Sequence, residues 1–226
     1  MTYHHIHQGV FLHRPNRFVA EIELSGKIAK AHVKNTGRLR ELLVPGATVY
    51  VNQSHNPLRT TQYDLITVVK GNQLVNIDSL APNRVFGEYL QSGGFMPDIT
   101  LIKPEAKYKQ SRFDFYVETA NSKAFIEVKG VTLELDGAAQ FPDAPTERGV
   151  KHLNELAQCI TDGYEAYVVF IIQMQGVTYF TPNNLTHPAF GAALKKAVAA
   201  GVQATAFDCN VTADTMTINN PVQIVL

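Results

Sequence analysis

Hydrophobic and polar positions alternate through the first third of the chain. Phe18–Leu24 alternates, Ser25-Gly26 turns, and Lys27–Val33 alternates again, the period of two expected of half-buried strands. Further strands are predicted at Thr48–Val51, after the Pro45-Gly46 turn, and at Asp64–Val69 and Leu74–Ile77, which flank the hairpin signal Gly71-Asn72. Five short strands joined by tight turns predict a small antiparallel barrel, with the OB-fold as the natural candidate.

The period changes near Ala81-Pro82. Asn83 is expected to cap a helix that runs through Val85, Phe86, Tyr89 and Leu90 and stops at Gly93-Gly94. A domain boundary is placed here, giving an OB-like nucleic-acid-binding unit at 1–81 and a second domain at 82–226. In the second domain, strands are predicted at 99–102, 105–109, 112–118 and 124–129, followed by a Gly/Asp/Pro loop from Leu135 to Pro145. Val150, Leu153, Leu156, Ala157 and Ile160 mark one face of an amphipathic helix that Asp162-Gly163 stops. Tyr167–Ile172 is the most apolar run and predicts a central buried strand. A last helix, Pro188–Ala200, and two terminal strands complete a mixed α/β (α+β) sheet.

Strand geometry then organises the candidate chemistry. Phe113, Phe115 and Val117 are expected on one face of their strand and Asp114 on the other; Glu127 and Lys129 share a face, roughly 6–7 Å apart. The short connection Ala120–Lys123 predicts a hairpin that brings Asp114 beside Glu127. Two carboxylates on adjacent strands make a hard oxygen site suited to Mg²⁺ or Mn²⁺. A lysine two residues beyond the second carboxylate suits in-line attack on a phosphodiester, by hydrogen-bonding the attacking water or stabilising charge. The same three residues also fit a surface ion-pair ladder. The apolar flanks Phe113, Phe115, Ile126 and Val128 favour a site, because ionisable groups deep in a sheet are costly unless they serve one. Glu88, on the preceding helix, and Glu105, on the preceding strand, are candidates for further metal ligands.

Composition and charge refine this reading. The chain is 45% hydrophobic and 18% charged, enough for a sizeable core. No apolar stretch is long enough for a transmembrane helix, so no membrane association is expected. Met1–Val10 carries His4, His5 and His7 and no apolar signal region; a mobile terminus of a cytoplasmic protein is expected. Cys159 and Cys209 have no CxxC spacing, which argues against a zinc knuckle or disulfide scaffold and fits a reducing compartment. Cys159 lies near the apolar helical stripe and is expected to be buried. Net charge is zero, yet residues 1–81 hold nine Lys/Arg against five Asp/Glu, and residues 82–226 eleven against fifteen. A basic module joined to an acidic, metal-binding one would show this asymmetry; ordinary scatter in a two-domain chain would also show it.

The candidate nucleic-acid contacts are Arg38 and Arg40 in the first domain and Arg112, Arg148, Lys151 and His152 in the second. Asp143 or Thr146 is placed to cap the 150–160 helix, whose free N–H groups suit a phosphate oxygen. Arg148 and His152, four residues apart, share a face. Phe11, Phe18 and Tyr50 are suited to base stacking, but core packing is expected for most of them. Lys195-Lys196 is expected on a solvated helix face.

Taken together, Asn35-Thr36-Gly37-Arg38 with Pro45-Gly46, Ala81-Pro82-Asn83-Arg84 with Glu88, Ser111–Phe115, Glu127-Val128-Lys129 with Thr132, and Phe141–Ala144 with Thr146–Leu153 resemble the sugar fermentation stimulation protein A family. The resemblance spans nearly the whole chain, and Phe141–Leu153 is its most specific part. It implies an OB-like domain followed by a PD-(D/E)XK nuclease-like, restriction-endonuclease-like domain, and a DNA-binding protein with a regulatory role in sugar (maltose) metabolism. By position, Asp114, Glu127 and Lys129 fall on the nuclease motif and Glu88 on its first-helix acid. Phe113 stands where the motif name has proline. Two functions are therefore expected: a Mg²⁺-dependent nuclease acting on DNA or RNA, or a non-catalytic, sequence-independent DNA-binding regulator. RNA processing is a third. Oligomeric state is silent in the sequence.

Overall fold

The computed structural model describes all 226 residues. Six strands come first: β1 (Ile6–Asn16), β2 (Val19–Leu24), β3 (Lys27–Val33), β4 (Thr48–Gln53), β5 (Tyr63–Lys70) and β6 (Gln73–Asn76). They pair in the order β3-β2-β1-β4-β5-β6, and β3 also pairs with β5 in parallel through Ala31↔Tyr63, His32↔Asp64 and Val33↔Leu65. That pairing closes β1–β5 into a five-stranded OB-like barrel; β6 is a hairpin extension of β5. The alternating positions Ala20, Ile22, Ala31, Val33, Val49, Val51 and Val68 fill its interior.

The barrel needs a strand that alternation did not predict. β1 occupies the supposedly mobile N-terminal region, where Gly9 breaks the pattern and two register shifts against β2 disturb it further. Gly9 has a physical reason: a Cβ there would meet Glu23 O and a Leu24 methyl at 2.7 Å. The terminus itself is tied down. Met1 and Tyr3 are buried, and Thr2 bridges to Thr215.

Helix α1 (Ala81–Gln91) follows, opened by a proline in its first turn, where a missing N–H costs nothing. Asn83 is not its cap; it lies inside the helix and its side chain serves elsewhere. Then come β7 (Ile99–Tyr108), β8 (Ser111–Thr119) and β9 (Lys123–Val131), an antiparallel meander. The two short strands expected between Ile99 and Lys109 are one, carried past Glu105 in a left-handed conformation (φ 52°). The expected loop after Leu135 holds a hairpin of β10 (Leu133–Leu135) and β11 (Ala138–Phe141).

Helix α2 (Glu147–Thr161) is capped by Thr146, whose Oγ1 accepts the Gly149 N–H at 3.1 Å; the helix ends at Asp162, before Gly163 at φ 86°. The chain continues through β12 (Glu165–Ile172), β13 (Tyr179–Pro182), α3 (Pro188–Ala199), β14 (Gln203–Val211), β15 (Met216–Pro221) and β16 (Gln223–Ile224). The main sheet has the order β15-β14-β12-β9-β8-β7, with β9, β12 and β14 parallel. A small second sheet has the order β10-β11-β13-β16.

α1 covers one face of the main sheet, packing Val85, Phe86 and Leu90 among Phe115, Ile126, Val128 and Ile171. α2 and α3 cover the other, where Leu153, Leu156 and Leu194 join Phe113, Phe125 and Phe170. Leu153 and Leu156 are fully buried, each stabilising the fold by about 1.5–3 kcal/mol. This second core is continuous with the barrel interior, so the two halves share one hydrophobic body. No helix is long and apolar enough to cross a membrane.

Candidate active site

The site is built where the β8–β9 ladder stops. Pairing runs from Glu118↔Lys123 to Phe115↔Ile126, and there the side chain of Asp114 takes over from the backbone. Its Oδ2 accepts the Val128 N–H at 2.7 Å, and its Oδ1 accepts the Asn83 amide of α1 at 2.6 Å. The strand changes face at this point. Phe113 packs with Phe125 on the α2 side, whereas Phe115 and Val117 pack on the α1 side. Strict alternation, which would put all three on one face, therefore fails at Asp114. Burial, and next the charge of Glu127, raise the Asp114 carboxyl to about 6, against the opposing pull of Val128 N–H, Lys129 and Asn83.

Glu127 is 4% exposed. Its Oε1 accepts the Nδ1–H of His152 at 2.5 Å and is also held by the Lys129 ammonium. The Nε2 of His152 accepts the Nε–H of Arg148 at 3.3 Å, which leaves the ring proton on Nδ1, pointing at Glu127. Burial pushes the Glu127 carboxyl up, but His152 and Lys129 outweigh it and hold the group below the usual range. The remaining oxygen, Oε2, is buried without a hydrogen-bond partner. An orphaned carboxylate oxygen beside a second carboxylate is costly unless something positive meets it. The donor set, two hard oxygen ligands, fits Mg²⁺ or Mn²⁺.

Two expected ligands lie elsewhere. Glu88 Oε2 bonds the Met1 amino group at 2.7 Å, and its side chain is 54% exposed. Glu105 is exposed and faces Arg112 at 3.7 Å. No three His, Cys, Asp or Glu side chains converge, so of the four proposed metal ligands only Asp114 and Glu127 come together. The reason is local: α1 turns Asn83, not Glu88, toward Asp114, and the left-handed Glu105 projects to solvent.

The predicted nucleic-acid contacts also divide. His152 is buried on Glu127, so it orients the carboxylate and is closed to a phosphate. Arg148 and Lys151 are exposed on α2; Lys151 pairs loosely with Glu155 at 3.9 Å. Arg38 and Arg40 line a recess together with Arg14 and Arg17, with no acidic residue in its wall. The Arg14 guanidinium donates to the carbonyls of Arg17, Asn35, Gly37 and Arg38, fixing the loop that presents the others. Phe11 is in the core; Phe18 is exposed, with Arg17 stacked over it at 4.7 Å. Asn83, Arg14 and the His152–Glu127 pair were not assigned these roles from sequence.

An OB barrel joined to a restriction-endonuclease-like sheet that gathers an Asp, a Glu and a Lys defines the class. Residues 12–77 match the SfsA N-terminal OB domain, and residues 80–215 match the sugar fermentation stimulation protein RE domain. The chain belongs to the sugar fermentation stimulation protein family. It is 54% identical over 226 residues to the homologue of Clostridium beijerinckii, covering both chains completely. It is 57% identical over 216 residues to that of Desulfitobacterium hafniense, covering 96% of this chain and 94% of the other. The solved structure of Pyrococcus furiosus SfsA in complex with Ca²⁺ superposes with a TM-score of 0.91 at 27% identity, covering 100% of this chain and 98% of that one.

Proposed function

We propose that this protein is a divalent-metal-dependent phosphodiesterase that binds and cuts nucleic acid. The observation that carries the reading is the buried, unpartnered Oε2 of Glu127 beside Asp114, with Lys129 on the other oxygen of the same carboxylate. Asp114 and Glu127 would hold the ion. A bound Mg²⁺ or Mn²⁺ supplies Lewis-acid charge to the scissile phosphate. The Pyrococcus furiosus relative was solved with Ca²⁺, a hard cation of the same class.

The chain's own residues divide the remaining work. Val128 N–H and Asn83 fix the Asp114 carboxylate. His152 and Arg148 lock Glu127 so that Oε2 stays free of the protein's own donors. The Lys129 ammonium is placed to hydrogen-bond an attacking water or the charge that builds on phosphorus-bound oxygen. The barrel arginines supply phosphate contacts that carry no sequence information.

A second reading rests on a specific observation. With Glu88 and Glu105 turned away, the ligand set is two carboxylates, which suits a protein that binds DNA without cutting it and acts as a regulator, for example in sugar (maltose) metabolism. One experiment separates the two. Metal-stripped protein is incubated with labelled single- and double-stranded DNA and RNA, with and without Mg²⁺ or Mn²⁺, alongside Lys129→Ala. Metal-dependent cleavage that Lys129→Ala abolishes supports the nuclease. Binding with no cleavage of any substrate supports the regulator and removes the nuclease.

A further inference from the structure

Two recesses adjoin on the barrel side of the site. The arginine recess is lined by Arg14, Arg17, Arg38 and Arg40, and also by Thr36 and Gly37. Thr36 and Gly37 then form one wall of a second cavity, of about 260 Å³, between the barrel and the catalytic sheet. It is also lined by Gly130 of β9, immediately beyond Lys129, by Thr132 just past the end of that strand, and by Thr146 at the start of α2. The strand that carries Glu127 and Lys129 thus runs from the reaction centre into this cavity.

The two recesses have opposite chemistry. The first is cationic and has no apolar residue in its wall. The second has no Lys or Arg. It offers neutral amides and hydroxyls, the flat ring of Phe141, and one carboxylate, Asp143. Asp143 is held in place by the Leu39 N–H on its Oδ2 at 3.0 Å. Gln140 is half-exposed at the wall; its backbone pairs within the second sheet, and its side-chain amide has no hydrogen-bond partner in the chain. A cationic recess takes phosphate; a polar cavity with amides, hydroxyls, an aromatic wall and one carboxylate takes a base or sugar. At about 260 Å³ the cavity lies just below the usual range for small-ligand pockets, roughly 300–1,000 Å³. A recess of this size suits one unstacked base, as in sites that take a nucleotide out of the stack.

We infer that the cavity is the seat of a single unpaired nucleotide, and that the substrate is single-stranded nucleic acid. Its backbone lies on Arg17, Arg38 and Arg40 and its base enters past Thr36 to lie against Phe141. This rests on the nucleic-acid reading above but not on cleavage. The strand crosses from the arginine recess to the neighbourhood of Lys129 with one nucleotide unstacked on the way.

The test measures binding of full-length protein in EDTA, so that no cleavage intervenes. Fluorescein-labelled 12-nucleotide single-stranded DNA, single-stranded RNA and the matching blunt DNA duplex serve as probes. The expected result is single strands bound about tenfold or more tightly than duplex, the effect of one stacked base; whichever of the DNA and RNA strands binds better names the sugar. Thr36→Trp, at an exposed position, is expected to close the entrance and cut single-strand affinity by about tenfold. Gln140→Ala, a milder change, is expected to lower it severalfold without disturbing the fold. Duplex bound as tightly as single strands, or single-strand affinity unmoved by both substitutions, overturns the inference while leaving the nuclease reading intact. Binding of none of the probes overturns both.

Discussion

Two carboxylates in this protein are buried to the same extent, Asp64 in the barrel and Glu127 in the sheet, each 4% exposed. Their surroundings differ in kind. The Arg59 guanidinium donates to both Asp64 oxygens, at 2.5 and 3.1 Å, and Lys34 approaches at 2.9 Å. Burial pushes Asp64 up, but Arg59 and Lys34 more than offset it and hold the carboxyl below its usual range. Glu127 has all its donors on one oxygen and none on the other. Burial therefore does not distinguish these two acids; hydrogen-bond saturation does. Asp64 is a closed ion-pair cluster that fastens β5 to β3 and the 54–62 loop. Glu127 is left incomplete by the protein's own groups.

The contrast can be broken most sharply at the sheet. Glu127→Gln and Lys129→Ala are each expected to lower metal-dependent cleavage about 10²–10⁴-fold. The thermal midpoint should stay nearly unchanged, read by circular dichroism on the same samples. If Glu127→Gln unfolds the protein instead, Glu127 belongs with Asp64. In the barrel the balance reverses. Asp64→Ala is expected to cost about 2–3 kcal/mol in urea unfolding, less than a fully buried pair because Arg59 and Lys34 remain 28% and 25% exposed. Cleavage per folded molecule should persist.

A smaller effect is expected from Arg38→Ala combined with Arg40→Ala. The slope of log affinity against log salt should fall by about one per arginine, measured by fluorescence anisotropy from low to moderate salt. An unchanged slope would remove these arginines from the phosphate path. The smallest effect is the pH dependence of the barrel pair. Because the folded carboxyl of Asp64 is depressed, its contribution is complete above the unfolded value, about 4, and is lost as pH falls through the folded value. The stability gap between the wild type and Asp64→Asn should be flat from neutral pH to about 5 and narrow below about 4. A gap that widened on acidification would contradict the pairing.

How much of this was readable beforehand depends on the range of each interaction. The barrel strands β2–β5, the capped helix α2 and the buried strand β12 were legible because period, caps and stop signals lie within a few residues of one another. β1 was not, because it departs from period two where Gly9 must clear the Glu23 carbonyl. Asp114, Glu127 and Lys129 stood out by spacing and apolar flanks. Their partners did not. Asn83 reaches Asp114 across 31 residues and His152 reaches Glu127 across 25, contacts set by how α1 and α2 dock on the sheet. Glu88 and Glu105 had the right residue type in the right elements, yet helix rotation and one left-handed residue aim them away. Sequence fixes an element's face more readily than its azimuth.

A single side chain ties the barrel to the sheet. The buried amide of Gln173, at the end of β12, donates to the carbonyls of Asn76 and Asp78 and contacts Asn76 Oδ1, all within 3.1 Å. It clasps the exit of the barrel to the central strand of the sheet. Gly130 beside it leaves no room for a Cβ, which would meet the Gln173 Oε1 and a Pro82 carbon at 2.6 Å. The passage from barrel to sheet is thus closely packed and cross-bonded. On the proposed function, the span between the barrel arginines and Glu127 would be a set length, and the protein would act as a caliper, holding a strand at one jaw and presenting it at the other a constant number of nucleotides away.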